Sequence, residues 1–164
     1  MPNTKRATGF RPYGEVRRIN QYVADTTIYP GDLVVHGSSG NVTLYTSSAV
    51  AVIGVAASYG VSQGAPLLVW DHPDQEFVIG SDGATPSNQT DLFLNYQVTT
   101  TAGSSQYKVS RMALTGTSGG TVATMPLKTI FIDSRPDNAL GAYADVVVML
   151  NNHVFKGGTG QVGV

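Results

Sequence analysis

Apolar residues occur along this chain in short runs separated by turn residues, without the three- and four-residue spacing of an amphipathic helix. The runs are rich in Val, Ile, Thr and Tyr, and Gly, Pro, Asn, Asp or Ser bound them. This pattern predicts an all-β fold, a single-domain β-barrel or jelly-roll-like sandwich. The expected strands cover residues 33–35, 42–45, 49–57, 67–70, 75–79, 92–98, 107–112, 121–124, 127–132 and 143–155.

Two connections in this pattern predict hairpins. Residues 71–74 (Asp-His-Pro-Asp) have the composition of a tight turn, because Pro presets its φ and Asp accepts local backbone hydrogen bonds. They predict a hairpin between strands 67–70 and 75–79. A longer hairpin is expected between 92–98 and 107–112, with the Thr/Gly/Ser segment 99–105 as its exposed tip.

Three further segments carry specific expectations. Gly54, inside an apolar strand, predicts a bulge or a close approach of another backbone. The run 146–150 is apolar on both faces and predicts a central, buried final strand. Residues 133–141 predict one helical turn or an ordered loop, with Pro136 near its entry and Gly141 at its exit.

Charge is distributed unevenly along the chain. Positions 1–18 hold five cations against Glu15 alone, a formal +4, and positions 19–164 hold five cations against ten carboxylates, a formal −5. The expected organisation is a basic, extended arm over 1–20, a β body over 21–156 and a Gly-rich tail over 157–164. A cationic arm on an acidic body favours docking onto an anionic surface or a neighbouring copy.

Composition excludes several kinds of site. The 164 residues fit one domain and contain no cysteine, so disulfides, thiolate metal ligands and thiol nucleophiles are absent. No apolar run approaches the length of a membrane span and no signal sequence is visible, which predicts a soluble protein made in a cytoplasm. Charged residues are only 13% of the chain, which is typical of surfaces that other protein chains cover.

Candidate catalytic and metal-binding residues are few. Asp71, His72, Asp74 and Glu76 could supply ligands to a cation. Strand alternation puts Asp74 and Glu76 on one face while His72 lies in the turn beside Pro73, so no metal site is predicted. His36 with Asp32, and His153 with Asp145, are possible general-base pairs, although a lone His beside a strand is more often structural. No catalytic residue, cofactor or metal is therefore predicted.

Three alternative functions have some support in the sequence. The Gly-rich ending is similar to the C-terminal arm of trimeric deoxyuridine triphosphatases, but the strand near 52–55 lacks the carboxylate that such an enzyme (dUTPase) needs. A receptor- or sugar-binding virion module would use aromatic platforms, for which Trp70, Tyr45 and Tyr96 are candidates, although core packing suits their positions better. Nucleic-acid binding by the arm fits poorly with a pI near 6.2.

Three segments carry a resemblance to a known family. Residues 29–35 (YPGDLVV), 52–56 (VIGVA) and 138–148 (NALGAYADVVV) resemble capsid cement, or decoration, proteins of tailed bacteriophages with podovirus-like or cyanophage-like heads. The resemblance implies a small β-barrel or jelly-roll subunit, commonly a homotrimer, on the outer surface of the virion capsid. It also implies a role in locking neighbouring major capsid proteins together, after synthesis in the host bacterial cytoplasm, and it supplies no catalytic residues.

This resemblance leads to two site hypotheses. The arm is expected to grip the capsid or an adjacent subunit through charge pairs and through backbone pairing onto a strand edge. Its expected contact residues are Lys5, Arg6, Arg11, Tyr13, Arg17 and Arg18. Residues 143–164 are expected at a subunit interface, with Tyr143, Val148, Leu150 and Phe155 as the contact residues.

Overall fold

The structure, a computed structural model, describes residues 3–6, 8–46, 51–117, 119–157 and 160–164. It is all-β, as the hydrophobic pattern predicts. The only helical segments in the described part are short 3-10 turns at Gln89–Asp91 and Val154–Lys156. The strands are β1 Arg11–Tyr13, β2 Asn20–Val23, β3 Leu33–His36, β4 Val42–Leu44, β5 Val52–Ala56, β6 Pro66–Trp70, β7 Glu76–Gly80, β8 Asn95–Tyr96, β9 Val98–Thr99, β10 Ala113–Leu114, β11 Leu127–Ile132 and β12 Asp145–Leu150.

The strands form two five-stranded antiparallel sheets and one two-stranded ribbon. The first sheet has the order β1-β7-β12-β11-β8, the second has the order β2-β6-β5-β3-β4, and β9 pairs with β10. β12 lies in the middle of the first sheet, and most of its residues are buried. The prediction of a central, buried final strand is confirmed.

The main core lies between the two five-stranded sheets, which makes the body a sandwich. Alternate residues of β3 and β5 face alternate residues of β7 and β12 across it, including Leu33, Val52, Phe77 and Val146. The other face of the second sheet is also buried, because segment 24–28 and the loop before β6 cover a second apolar cluster there.

Gly54 behaves as the sequence predicts. A β carbon at this position would lie 2.1 Å from the carbonyl oxygen of Trp70 on the neighbouring strand. The pairing of β3 with β5 also shifts register beside it, between Val34 and Val35. A glycine is therefore needed where β5 meets β6.

The predicted hairpin at residues 71–74 is wrong. β6 belongs to the second sheet and β7 to the first, so this connection passes from one sheet to the other. The Asp71 carboxylate accepts hydrogen bonds from β2 and the residues before it, which holds the start of the turn against the second sheet. The same turn residues suit a hairpin and a connection between two sheets. The contacts of Asp71 with residues far away in the sequence determine which of the two forms.

The predicted long hairpin is also altered. β8 pairs with β11 and β9 pairs with β10, so segment 92–98 serves two sheets. Residues 107–112 form a turn and an isolated bridge instead of a strand, since Lys108 has a left-handed backbone, with φ 53°. Segment 121–124 is not a strand either, because the side-chain amides of Asn95 and Asn151 bind its carbonyl groups.

The two ends of the chain lie on the body, which differs from the expected extended arm and separate tail. β1 pairs with β7 at the edge of the first sheet, and β2 pairs with β6 at the edge of the second. At the other end, the buried side chain of Asn151 both donates to and accepts from the backbone of Gln161. Residues 133–141 form an ordered loop, one of the two predicted outcomes.

Candidate functional site

The cations of the first eighteen residues are largely paired with the body of the same chain. Three guanidinium groups lie within salt-bridge distance of body carboxylates. The pairs are Arg6 with Asp137 at 3.1 Å, Arg11 with Asp145 at 3.5 Å, and Arg18 with Asp71 at 2.7 Å. The opposite charges of arm and body that the sequence shows therefore neutralise each other within the molecule.

The remaining residues of the expected arm contact have other surroundings. Lys5 places its ammonium 5.7 Å from the centre of the Tyr143 ring. Tyr13 packs edge-on against Phe131, and the backbone N–H of Arg17 donates to Gln75 at 3.0 Å. A grip on a partner through Arg6, Arg11 and Arg18 would require their internal pairs to break. Contact between this segment and a capsid stays a prediction. Backbone pairing at a strand edge would suit that contact better than these guanidinium groups, because it leaves the internal ion pairs intact.

Asp71 is the centre of a buried polar cluster at the end of β6. Its carboxylate accepts hydrogen bonds from Arg18 Nε at 2.7 Å, Asn20 Nδ2 at 2.8 Å and the Tyr22 hydroxyl at 2.6 Å. Arg18 also donates to the Asp71 carbonyl oxygen and lies 5.2 Å from the centre of the Phe155 ring. The cluster fixes β2 and the residues before it onto the body.

Protonation at this cluster follows from its hydrogen bonds. Burial opposes ionisation of Asp71, but the bonds from Tyr22, Asn20 and Arg18 outweigh it and lower the pKa of the carboxyl group. Burial and the bond to the Asp71 carboxylate raise the pKa of Tyr22 to about 12. Asp71 is thus an ionised acceptor that holds together residues of the same chain.

His153 lies next to this cluster and is fully buried. Its Nδ1 accepts a hydrogen bond from the backbone N–H of Phe155 at 3.1 Å, which caps the 3-10 turn Val154–Lys156. Burial, reinforced by the positive charge of Lys156, lowers the pKa of His153 to about 4. The imidazole is therefore neutral at pH 7 and acts as a cap.

We expect His153 to make the protein sensitive to mild acid. Its pKa is lower in the folded state, so the unfolded state binds the proton more readily, and stability falls as pH drops from 6.5 towards 4. The loss over this window is about 3 kcal/mol from the size of the shift. Urea unfolding at several pH values measures it.

His153→Asn provides the comparison, because asparagine can keep the capping acceptor without titrating. The variant should lack this part of the pH dependence, whereas the control His36→Asn, at the exposed end of β3, should keep it. Equal slopes for His153→Asn and the wild-type protein between pH 6.5 and 4 would contradict the prediction.

Neither possible general-base pair forms in the described residues. Asp32 is buried and accepts from the Tyr29 N–H at 2.8 Å, while His36 lies exposed at the far end of β3. Asp145 is paired with Arg135 and Arg11, at the opposite end of β12 from His153.

The residues of the 71–76 turn likewise have separate partners. Asp74 pairs with Lys156 at 2.8 Å, and the Asp74 N–H donates to Nδ1 of His72. Asp71 is held by the cluster described above. Among the described residues no group of three acidic or histidine side chains converges on a cation position.

The predicted oligomer contact divides into two parts. Val148 and Leu150 are wrong as interface residues, because both are buried in the core of the single chain. Their apolar side chains pack between the two sheets. Tyr143 is half-buried beneath Lys5, and Phe155 is 54% exposed, so these two remain accessible to a neighbour.

The aromatic platforms considered from the sequence are part of the core. Tyr45 and Tyr96 are almost completely buried, and Trp70 packs against Phe77 with a centroid distance of 6.4 Å. The preferred interpretation of these three residues as packing residues is confirmed.

An uncharged apolar surface lies where β2 and β6 extend beyond the first sheet. We call it the β2–β6 face. Antiparallel pairing places Gln21 opposite Leu68 and Val23 opposite Pro66, so alternation puts their side chains and that of Ile19 on one side. Ile19, Val23 and Leu68 are 43%, 43% and 39% exposed. β2 is also the last strand of its sheet, so one side of its backbone has no partner strand in the described part.

Sequence analysis missed the β2–β6 face because it expected no strand before residue 33 and set the boundary between arm and body at residue 20, inside β2. The signal was present as an alternation of Ile19, Gln21 and Val23 with Asn20 and Tyr22. That pattern has the period of a strand with two different faces. The structure gives the two faces different tasks, since Asn20 and Tyr22 bind Asp71.

A scan against protein-family models finds no match, and no curated protein sequence matches the chain. Within the described residues there is no helix with the length and apolar character needed to cross a membrane.

Proposed function

We propose that this protein is a structural virion protein that binds the outer surface of a phage capsid as a cement, or decoration, protein. It stabilises contacts between major capsid protein subunits and is made in the cytoplasm of the host bacterium. The observation that carries the proposal is the β2–β6 face, an uncharged apolar surface beside an open strand edge. Such a surface suits association with another protein chain.

The capsid contact in this proposal is an extended, neutral segment of the major capsid protein. Main-chain hydrogen bonds to the free side of β2 fix the register of the bound segment. Apolar side chains of that segment cover Ile19, Val23 and Leu68. The face carries no ionisable side chain, so a strongly charged partner would lose hydration there without a compensating ion pair. The arm hypothesis combined charge pairs with backbone pairing onto a strand edge. The present proposal keeps the backbone pairing and leaves out the charge pairs.

The role is non-catalytic and involves neither nucleic acid nor membrane. Support comes from the two buried carboxylates that pair with arginine. Asp71 pairs with Arg18 and Asp145 with Arg135 of the same chain, so both are engaged in internal contacts. Incubation with deoxyuridine triphosphate and Mg²⁺ should give no hydrolysis above background. Turnover at an enzymatic rate would instead support the nucleotide-hydrolase alternative.

The abundance of the chain in purified particles tests the proposal directly. Quantitative mass spectrometry should find it in a fixed ratio to the major capsid protein, corresponding to hundreds of copies per particle, as expected for a lattice component. Absence from particles, or only a handful of copies, would overturn the proposed role.

A single substitution in the β2–β6 face should weaken capsid binding. Val23→Lys places a charge in the apolar contact, and we expect at least a tenfold loss of affinity for undecorated capsids. Co-sedimentation with capsids measures it. The control Val122→Lys changes a valine that is 52% exposed and lies outside this face, and it should bind normally. Equal binding by both variants would place the contact elsewhere.

The proposal includes assembly as a homotrimer. Phe155 and Tyr143 are the residues of the expected interface that stay accessible in the single chain. Analytical ultracentrifugation of the free protein and cross-linking on particles should both give trimers. A monomer in both experiments would remove the trimer from the proposal without affecting capsid attachment.

A further inference from the structure

An open groove with both polar and apolar lining lies on a different part of the surface from the β2–β6 face. The N-terminal segment, the residue after β7 and its turn, β9 and the loop before β10 enclose it, with a volume of about 550 Å³. This size is within the range of small-molecule sites. Its principal lining residues are Lys5, Asp82, Thr99, Thr101, Tyr107 and Arg111.

Two cations face this groove without a carboxylate partner. Neither Lys5 nor Arg111 forms an ion pair with any residue that the structure describes, in contrast to Arg6, Arg11 and Arg135. The one carboxylate in the lining, Asp82, already accepts from the Thr99 hydroxyl and from the Gly116 N–H at 2.5 Å. The groove thus has positive charge to offer to an anionic group.

The rest of the lining suits a hydroxylated ring. Thr8 and Thr101 also line the groove, and their hydroxyl groups can exchange hydrogen bonds with a polyol, whereas those of Thr99 and Ser104 are already bonded to Asp82 and to the Tyr107 N–H. The Tyr107 side chain is 69% exposed at its edge. A free aromatic face of this kind stacks on the apolar face of a sugar ring, while its hydroxyl group stays in water.

We propose that this groove binds an acidic saccharide. The carboxylate of a uronic-acid unit pairs with Arg111 and Lys5, its hydroxyl groups bond to Thr8 and Thr101, and its ring packs on Tyr107. Arginine is suited to the task, because its planar group can bind a carboxylate through two parallel hydrogen bonds. The assignment does not depend on capsid attachment, since it uses other residues.

Titration with trigalacturonate tests the proposal. Amide chemical shifts of the ¹⁵N-labelled protein should move for Thr101, Tyr107 and Arg111 and saturate. The fully methyl-esterified trisaccharide keeps the hydroxyl groups and loses the charge, and it should bind at least tenfold more weakly. Arg111→Gln and Lys5→Gln should each weaken trigalacturonate binding by about tenfold, as expected for loss of a charge-assisted bond.

Lys108→Gln is the matched control. Lys108 lies over Tyr59, outside the groove lining, and its loss should leave the affinity unchanged. No saturable shift at millimolar trigalacturonate, equal affinity for the ester, or unchanged binding by Arg111→Gln would each overturn the proposal. Displacement of trigalacturonate by a hexaglutamate peptide of equal affinity would overturn the saccharide assignment in favour of an acidic peptide.

Discussion

Replacement of Gly54 by alanine is expected to lower the free energy of unfolding by about 3 kcal/mol, enough to leave a marginally stable domain partly unfolded. The new methyl group would lie 2.1 Å from the Trp70 carbonyl oxygen and 2.9 Å from Cγ1 of Val69. Because the nearest of these atoms belongs to the backbone of β6, relief requires β5 and β6 to separate. Every residue of β5 is buried, so the strand has no free side towards which to move.

Urea unfolding followed by circular dichroism measures this effect, and Gly120→Ala is the control. A methyl group at position 120 would meet only the flexible end of Met125, at 3.2 Å from its Cε. Gly120→Ala should therefore change stability by less than about 1 kcal/mol. Similar unfolding midpoints for the two variants would show that β5 and β6 can separate without loss of pairing.

Asp71→Ala is the second substitution with a large expected effect, again about 3 kcal/mol, at the low end of the range for breaking a buried ion pair. The low end applies because Arg18 is 41% exposed and can regain water once its partner is lost. Asn20 and Tyr22 lose their acceptor as well. The substitution should release β2 from the body before the rest of the sandwich unfolds, and hydrogen exchange at residues 20–23 would detect this.

Asp74→Ala is the matched control for Asp71→Ala, three residues away in the same turn. Asp74 is 54% exposed and its carboxylate pairs with Lys156 at the surface, so its loss should cost about 0–1 kcal/mol. The stabilisation by Asp71 is present above pH 3.8 and is lost as pH falls through its lowered folded-state pKa. Equal destabilisation by the two variants at pH 7 would contradict the role assigned to the buried cluster.

The fold class could be predicted because it depends on periodicity, which a single sequence displays. The same holds for β12, whose apolar residues on both faces require a central position, and for Gly54, whose missing side chain marks a close approach. Each of these predictions concerns a property of one strand. They hold whatever the order of the strands.

Predictions that depended on distant partners were the ones that failed. The turn after β6 has the composition of a hairpin, yet Asp71 binds residues about fifty positions earlier in the chain, and that contact directs the chain into the other sheet. Charge segregation was visible, but a basic segment does not reveal whether its acidic partner is external or internal. The pairing of Arg6 with Asp137 spans most of the sequence.

The same distinction between local pattern and distant contacts applies to the β2–β6 face and to the groove. The alternation at residues 19–23 was readable, and its exposed side could have been predicted once the segment was assigned as a strand. The groove lined by Lys5, Asp82 and Arg111 could not be predicted, because these residues come from three separate parts of the chain. Only the packing of the N-terminal segment beside β9 and β10 brings them together.

The positions of β1 and β2 have a consequence for synthesis. Both are synthesised before their partners β7 and β6, which follow more than forty residues later in the chain. A nascent chain therefore holds two short strands without partners until residues 66–80 have emerged. Once paired, these strands cover one outer edge of each large sheet. Proteolytic removal of residues 1–23 would expose β7 and β6 as the new edge strands of the two sheets. Both exposed edges would then be open to pairing with other chains and to aggregation.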